Sequence, residues 1–224
     1  MKKALRENGL SIAFLAIFLL ALLGQSAAGW RAYNDEQSAH KSPTTSYGQY
    51  VTSSDFGGKV LENWQSEYLQ FTLFILATVW LVQKGSSESK ELGEEGGQSD
   101  EQQRVRRHAQ NDSPIGARID GWRQSVYGNS LVIVMTLLFL GSWFGQSFSN
   151  LAQYNNDQRQ HEEPTVSWRG YVTEPDFWDK TLQNWQSEFL AVGSMAIFAV
   201  YLRQRGSPES KPVGAPHEET ATSS

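Results

Sequence analysis

The chain of 224 residues contains no cysteine. No disulfide can staple an exported loop, and thiolate metal or redox chemistry is excluded. There is no basic stripe suited to tracking phosphates, so nucleic acid is not an expected partner. No G-x-G-x-x-G, Walker A, H-E-x-x-H or G-x-S-x-G pattern occurs, which leaves no motif for an enzyme and none for a bound cofactor. The apolar stretches hold no Asp, Glu, Lys, Arg or His, so a proton relay through a bilayer has no support. His40 and His161 stand 121 residues apart at equivalent positions. Histidine with carboxylate can hold a divalent metal, but the spacing fits no established ligand motif and no metal is expected.

On average the composition looks soluble, with 19% charged residues, a formal charge of -5 and a mean hydropathy of -0.46. The average hides a block pattern. Apolar residues concentrate at 10–23, 68–82, 131–144 and 189–202, separated by stretches rich in Gln, Ser, Glu, Gly and Asn. Four such blocks in a polar chain predict membrane spans with long connections, because a globular core spreads its apolar residues at helix or strand period.

The pentapeptide NWQSE occurs at 63–67 and again at 184–188. The offset it sets, 121 residues, holds without a gap from 8–90 against 129–211, and roughly four aligned positions in ten are identical, which implies duplication of one structural unit. Gly24-Gln25-Ser26 falls on Gly145-Gln146-Ser147, Tyr33-Asn34 on Tyr154-Asn155, Pro43-Thr44 on Pro164-Thr165, and Tyr50-Val51-Thr52 on Tyr171-Val172-Thr173. After the second apolar block, G-S-x-E-S-K occurs at 85–90 and at 206–211. Each unit has two apolar blocks, so the copies are expected to be parallel, related by a pseudo-two-fold axis along the membrane normal.

The predicted organisation is repeat 1 over 1–84, a disordered cytoplasmic linker over 85–121, repeat 2 over 122–205 and a disordered cytoplasmic tail over 206–224. Lys2, Lys3 and Arg6 before the first block resemble the start of a cleaved signal. The second copy has the same register deep in the chain, which favours retention of the block as a span. Lys and Arg crowd the termini and the linker and are few in the segments 25–67 and 146–188. By the positive-inside rule both termini are cytoplasmic and those two segments face outward.

The second block of each repeat is short, about 15 residues or roughly 23 Å of helix, so its helix is expected to begin earlier. Thr52 to Asp55 and Thr173 to Asp176 offer a Thr-x-x-acid start, with Pro175 harmless in the first turn. Running on to Lys84 or Arg205, each helix would measure roughly 45 Å and stand half outside the bilayer. On that half Asp55, Lys59, Asn63 and Glu67 recur at i, i+4, as do Asp176, Lys180, Asn184 and Glu188. This polar stripe is the candidate site. It either faces water and headgroups, or the two copies face each other, with Glu67 and Glu188 forming a carboxylate pair that could hold a cation or proton. Trp64 and Trp185 are the expected interfacial aromatics.

The two parallel units, each a span, an outward loop ending in NWQSE, and a second span followed by G-S-x-E-S-K, resemble a bacterial family of small membrane proteins catalogued as a domain of unknown function. The resemblance implies a bacterial inner-membrane protein and supplies no catalytic residues. The expected fold class is therefore an all-α membrane protein of four transmembrane helices in two tandem repeats. Its expected role is structural or accessory, with the lipid bilayer, a second copy, or a membrane or envelope protein as partner. The alternative is a small transporter or channel subunit.

Overall fold

The computed structural model describes residues 2–220, and its last four residues, part of the predicted tail, lie outside them. Among the described residues the regular structure is all helical. Helices α1 (Lys2–Glu7) and α2 (Gly9–Ala39) are followed by the short α3 (Tyr47–Val51) and by α4 (Ser54–Trp80). After a long irregular stretch come α5 (Ile115–Arg118), α6 (Trp122–Gly128), α7 (Ser130–Gln160), the short α8 (Trp168–Tyr171) and α9 (Pro175–Tyr201).

Two of these, α2 and α7, are long and apolar enough to cross a membrane. At 31 residues each, they reach about 46 Å. Only 6% of the most apolar window of α2 and 17% of that of α7 is buried, so Leu10, Phe14, Leu20 and Leu137 lie open. α4 and α9 do not pass the same test of length and composition among the described residues. Both end four residues earlier than the sequence suggests, at Trp80 and Tyr201. The cause is local: Ser89 Oγ accepts the Gln83 N–H and Ser210 Oγ accepts the Gln204 N–H, each at 2.9 Å, drawing the chain out of helical register.

The helix starts also differ from expectation. Thr52 Oγ1 donates to the Gly48 carbonyl and closes α3. Its neighbour Ser53 caps α4, accepting the Phe56 N–H at 3.3 Å. Pro175 does occupy the first turn of α9, where the cap is Glu174 without a side-chain bond.

The chain forms two compact units. The first comprises Met1–Val60 and Gln146–Tyr171. Its interior is made by Tyr50 and Tyr171, 1% and 0% exposed, each packed with tilted rings against another tyrosine (Tyr33 and Tyr154) at centroid distances of 5.6 and 5.4 Å. Close packing recurs on α4, where a Cβ added at Gly58 would lie 2.7 Å from Asn150 Oδ1.

The second unit comprises Leu61–Gly145 and Val172–Ser224. Trp143 sits in an aromatic cluster with Phe139, Phe177, Trp178 and Trp185, at centroid distances of 5.7 to 6.1 Å. Its indole N–H reaches the fully buried Thr181 hydroxyl at 3.3 Å. Leu69, Phe177 and Val200 complete the apolar interior. Gly193 meets nothing within 4 Å of an added Cβ, so this small residue does not serve close helix approach.

Candidate functional site

In the first unit the connections after α2 and α7 are held by the same device. Asn34 donates to the Thr45 carbonyl at 2.9 Å and accepts the Thr45 N–H at 2.7 Å. Asn155 does the same with Val166, at 2.9 and 2.8 Å. An asparagine that satisfies both backbone groups of one residue acts like a strand rung between helix and loop. Ser26 shares a hydrogen bond with the Tyr47 hydroxyl at 2.7 Å, and Ser147 accepts the Trp168 indole N–H at 2.8 Å. α3 begins with a capping box between Ser46 and Gln49. His161 turns its Nδ1 to the Asp157 carbonyl, 2.8 Å away.

The predicted polar stripe is distributed over both units. In the first, Lys59 donates to Asp55 Oδ2 at 2.8 Å; burial works against the Lys59 ammonium, but the Asp55 bond and charge outweigh it and its pKa ends above the ordinary value. In the second, Lys180 lies 3.1 Å from Asp176 Oδ2 and Asn184 Nδ2 donates to the Lys180 carbonyl at 2.8 Å. Such partly exposed i, i+4 pairs contribute about 0.3 to 0.5 kcal/mol.

The two NWQSE segments differ in burial. Gln65 and Ser66 of the first are 0% and 2% exposed, whereas Gln186 and Ser187 of the second are exposed. Gln65 Oε1 accepts the Trp185 indole N–H at 2.7 Å, so one copy of the pentapeptide is bonded to the other. The Nε2 of Gln65 is buried without a partner. Glu188 is half-buried, and burial, followed by the charge of Glu67, raises its carboxyl above the usual range. Trp64 is 38% exposed; Trp185 is half-buried in the aromatic cluster. Only one of the two predicted interfacial aromatics is therefore exposed. The Asn63 carbonyl accepts the Ser66 hydroxyl at 2.9 Å.

Toward the C-terminal ends of α4 and α9 lies a cavity of about 350 Å³. Phe71, Phe74 and Met195 contribute to its apolar wall, while Gln70, Ser86 and Glu88 bring polar groups. The G-S-x-E-S-K segments after the two helices fold alike. Gly85 and Gly206 take φ of 87° and 84°, a left-handed conformation that suits glycine. Ser86 Oγ accepts the Glu88 N–H and Ser207 Oγ accepts the Glu209 N–H, both at 3.2 Å.

Each segment ends on an ammonium caged by backbone. Lys90 donates to the Gly96 carbonyl at 2.6 Å. Lys211, 1% exposed, donates to the carbonyls of Pro216, His217 and Glu219, each at 3.0 Å. Glu88 is pushed up to about 7 by hydrogen bonding to Glu209, by burial and by the Glu209 charge. Sequence reasoning assigned no role to these two acids. The signal is the second occurrence of G-S-x-E-S-K, masked by a polar composition that reads as disorder.

Among the described residues no group of three or more His, Asp and Glu gathers to hold a metal. The class defined by these elements is an all-helical protein with two helices long and apolar enough to span a membrane. The chain belongs to the family described as Domain of unknown function (DUF6766), whose model matches residues 1–222. No curated protein and no solved structure matches the chain.

Proposed function

We propose that this chain is a multi-pass protein of the bacterial inner membrane, built as two like-oriented hairpins of two spans each, with both termini cytoplasmic. Its role on this reading is non-enzymatic: an accessory or structural protein whose outward connections around α3 and α8 meet an envelope component, a membrane protein or a second copy. The observation that carries it is the exposure of the apolar halves of α2 and α7, 6% and 17% buried over their most apolar windows. A soluble protein covers such helices, and uncovered apolar surface of this extent is stable only against lipid or a partner. The short apolar blocks of α4 and α9 span on this reading by thinning the bilayer locally and by placing Trp64 at the interface.

The Asn34 and Asn155 clamps support the assignment of the outward connections as a fixed recognition surface rather than a loose linker. Chemical crosslinking in native membranes tests the role. The account expects discrete products through positions near Gln37 and Gln158; a chain that stays monomeric and uncrosslinked would contradict it. A second reading, a small transporter or channel subunit with Glu67 and Glu188 at its outer mouth, draws on the raised carboxyl of Glu188. Cation flux in liposomes that is abolished by Glu188→Gln would favour it over the first.

A further inference from the structure

We propose that the connection between α4 and α7 ends in a lipid-recognition platform, α5 and α6 with the arginines around them, whose partner is the layer of anionic phospholipid headgroups at the foot of α7. The proposal rests on the reading of α7 as a span with this connection on the cytoplasmic side.

Charge is segregated within the connection. Residues 88–101 hold six acids and one lysine, whereas 104–123 hold five arginines and two aspartates. Asp100 and Asp120 both turn to Arg106, at 3.0 and 3.8 Å. Among the described residues Arg104, Arg107, Arg118 and Arg123 form no ion pair, and all four are exposed. Arg107 donates to His108 Nε2 at 3.0 Å and Arg118 to the Asn111 carbonyl, which leaves each guanidinium with donors to spare. Unneutralised guanidinium groups so close in the chain repel one another. A layer of phosphates relieves that repulsion and offers each of them bidentate acceptors.

Apolar groups are presented beside the charge. Ile115 and Trp122 are 81% and 73% exposed, and Val126, one helical turn beyond Trp122, is exposed as well. The Arg123 guanidinium stands 5.6 Å from the centre of the Trp122 ring. A Cβ on Gly116 would overlap the Tyr127 ring, so α5 and α6 pack together through these two residues, with Ala117 buried and Ile115 and Trp122 left outside. Tryptophan and arginine side by side suit the boundary between headgroups and acyl chains.

The platform is also held at that level. Asn129 alone separates α6 from α7. At the other end, the Gly96 N–H donates to the Val79 carbonyl of α4 at 2.8 Å, and Val79, Gln124 and Asn129 line one cavity of about 470 Å³. A second copy docked by the same face would set arginine against arginine, which favours lipid as the occupant.

The absence of cysteine allows single nitroxide labels on Val126→Cys in α6 and on Leu137→Cys in α7, in the full chain reconstituted into vesicles. One set of vesicles is phosphatidylcholine alone and the other phosphatidylcholine and phosphatidylglycerol in equal parts. The expected result is that collision of the Val126→Cys label with a water-soluble nickel chelate falls several-fold in the phosphatidylglycerol vesicles. It should recover at about 1 M salt, where the Debye length is about 3 Å. Replacing Arg104, Arg107, Arg118 and Arg123 by Gln should abolish the difference between the vesicles. The Leu137→Cys label should report acyl chains in every sample. A Leu137→Cys label that meets water instead would overturn the span reading and the proposal with it. With that label in lipid, equal exposure of Val126→Cys in the two vesicles overturns the platform alone. Protection that follows the protein-to-lipid ratio rather than the phosphatidylglycerol content assigns the face to a second copy and also overturns it.

Discussion

Replacing Trp185 by Phe isolates the contact between the two NWQSE segments. The change deletes the indole N–H that Gln65 Oε1 accepts at 2.7 Å while keeping an aromatic ring beside Phe139 and Trp143. Gln65 has no exposed surface and its Nε2 is already unpaired, so the whole amide would be left unsatisfied. A buried polar group stranded in this way costs about 1 to 3 kcal/mol. We expect a loss of about 2 kcal/mol, or roughly 4 to 8 °C in Tm for a chain of this size.

Gln65→Leu removes the stranded amide along with the bond, so on that background Trp185→Phe should cost much less. The coupling read from the double-mutant cycle is expected at about 1 to 2 kcal/mol. Reversible unfolding in mixed micelles, followed by far-ultraviolet circular dichroism, gives all four stabilities. A coupling indistinguishable from zero would refute the claim that this bond joins the segments.

Three further outcomes are expected. Gly57→Ala should raise thermal stability by up to about 1 kcal/mol through helix propensity, since its Cβ meets Ser149 Oγ at an ordinary 3.8 Å; Gly58→Ala should lower it despite the same propensity gain, because Asn150 Oδ1 and Gln153 Nε2 stand 2.7 and 2.9 Å from the new methyl. Lys211→Met strands three carbonyls and should raise amide hydrogen exchange across residues 206–220 while leaving α2 unchanged. The third concerns pH. Glu88 is raised from 4.5 to about 7, so between those values the folded chain holds a proton that the unfolded chain gives up. Stability should therefore be highest below pH 4.5 as far as this group is concerned, fall as pH rises to about 7, and level off above. The full shift corresponds to about 3 kcal/mol, and solvent screening of this exposed carboxyl reduces the expectation to about 1 kcal/mol. Denaturant titrations at pH 5 and 8, with Glu88→Gln losing the difference, provide the check.

Much of the helical layout is legible in apolar spacing. The long helices α2 and α7 begin within two residues of the apolar blocks at 10 and 131. Pairing Asn34 with Asn155 by sequence offset anticipates two side chains that make the same bonds. Helix ends were less readable, since Ser89 and Ser210 terminate α4 and α9 by bonds to residues six positions back, and no propensity scale contains such a bond. The Thr-x-x-Asp pattern places the start of α4 at Thr52, but Thr52 is consumed in closing α3 and the adjacent serine takes over. The unequal burial of the two NWQSE copies could not be read at all. Identical pentapeptides carry no information on which one is enclosed, and only the partner, Trp185 on the opposing helix, breaks the tie.

The like-oriented hairpin arrangement is tested most directly by single cysteines introduced into the cysteine-free chain at His40, Asp100, His161 and Ala215, and labelled in intact cells with a membrane-impermeant maleimide. The account predicts labelling at positions 40 and 161 and protection at 100 and 215 until the membrane is opened. Labelling of 40 and 100 from the same side, or of 40 and 161 from opposite sides, would contradict it.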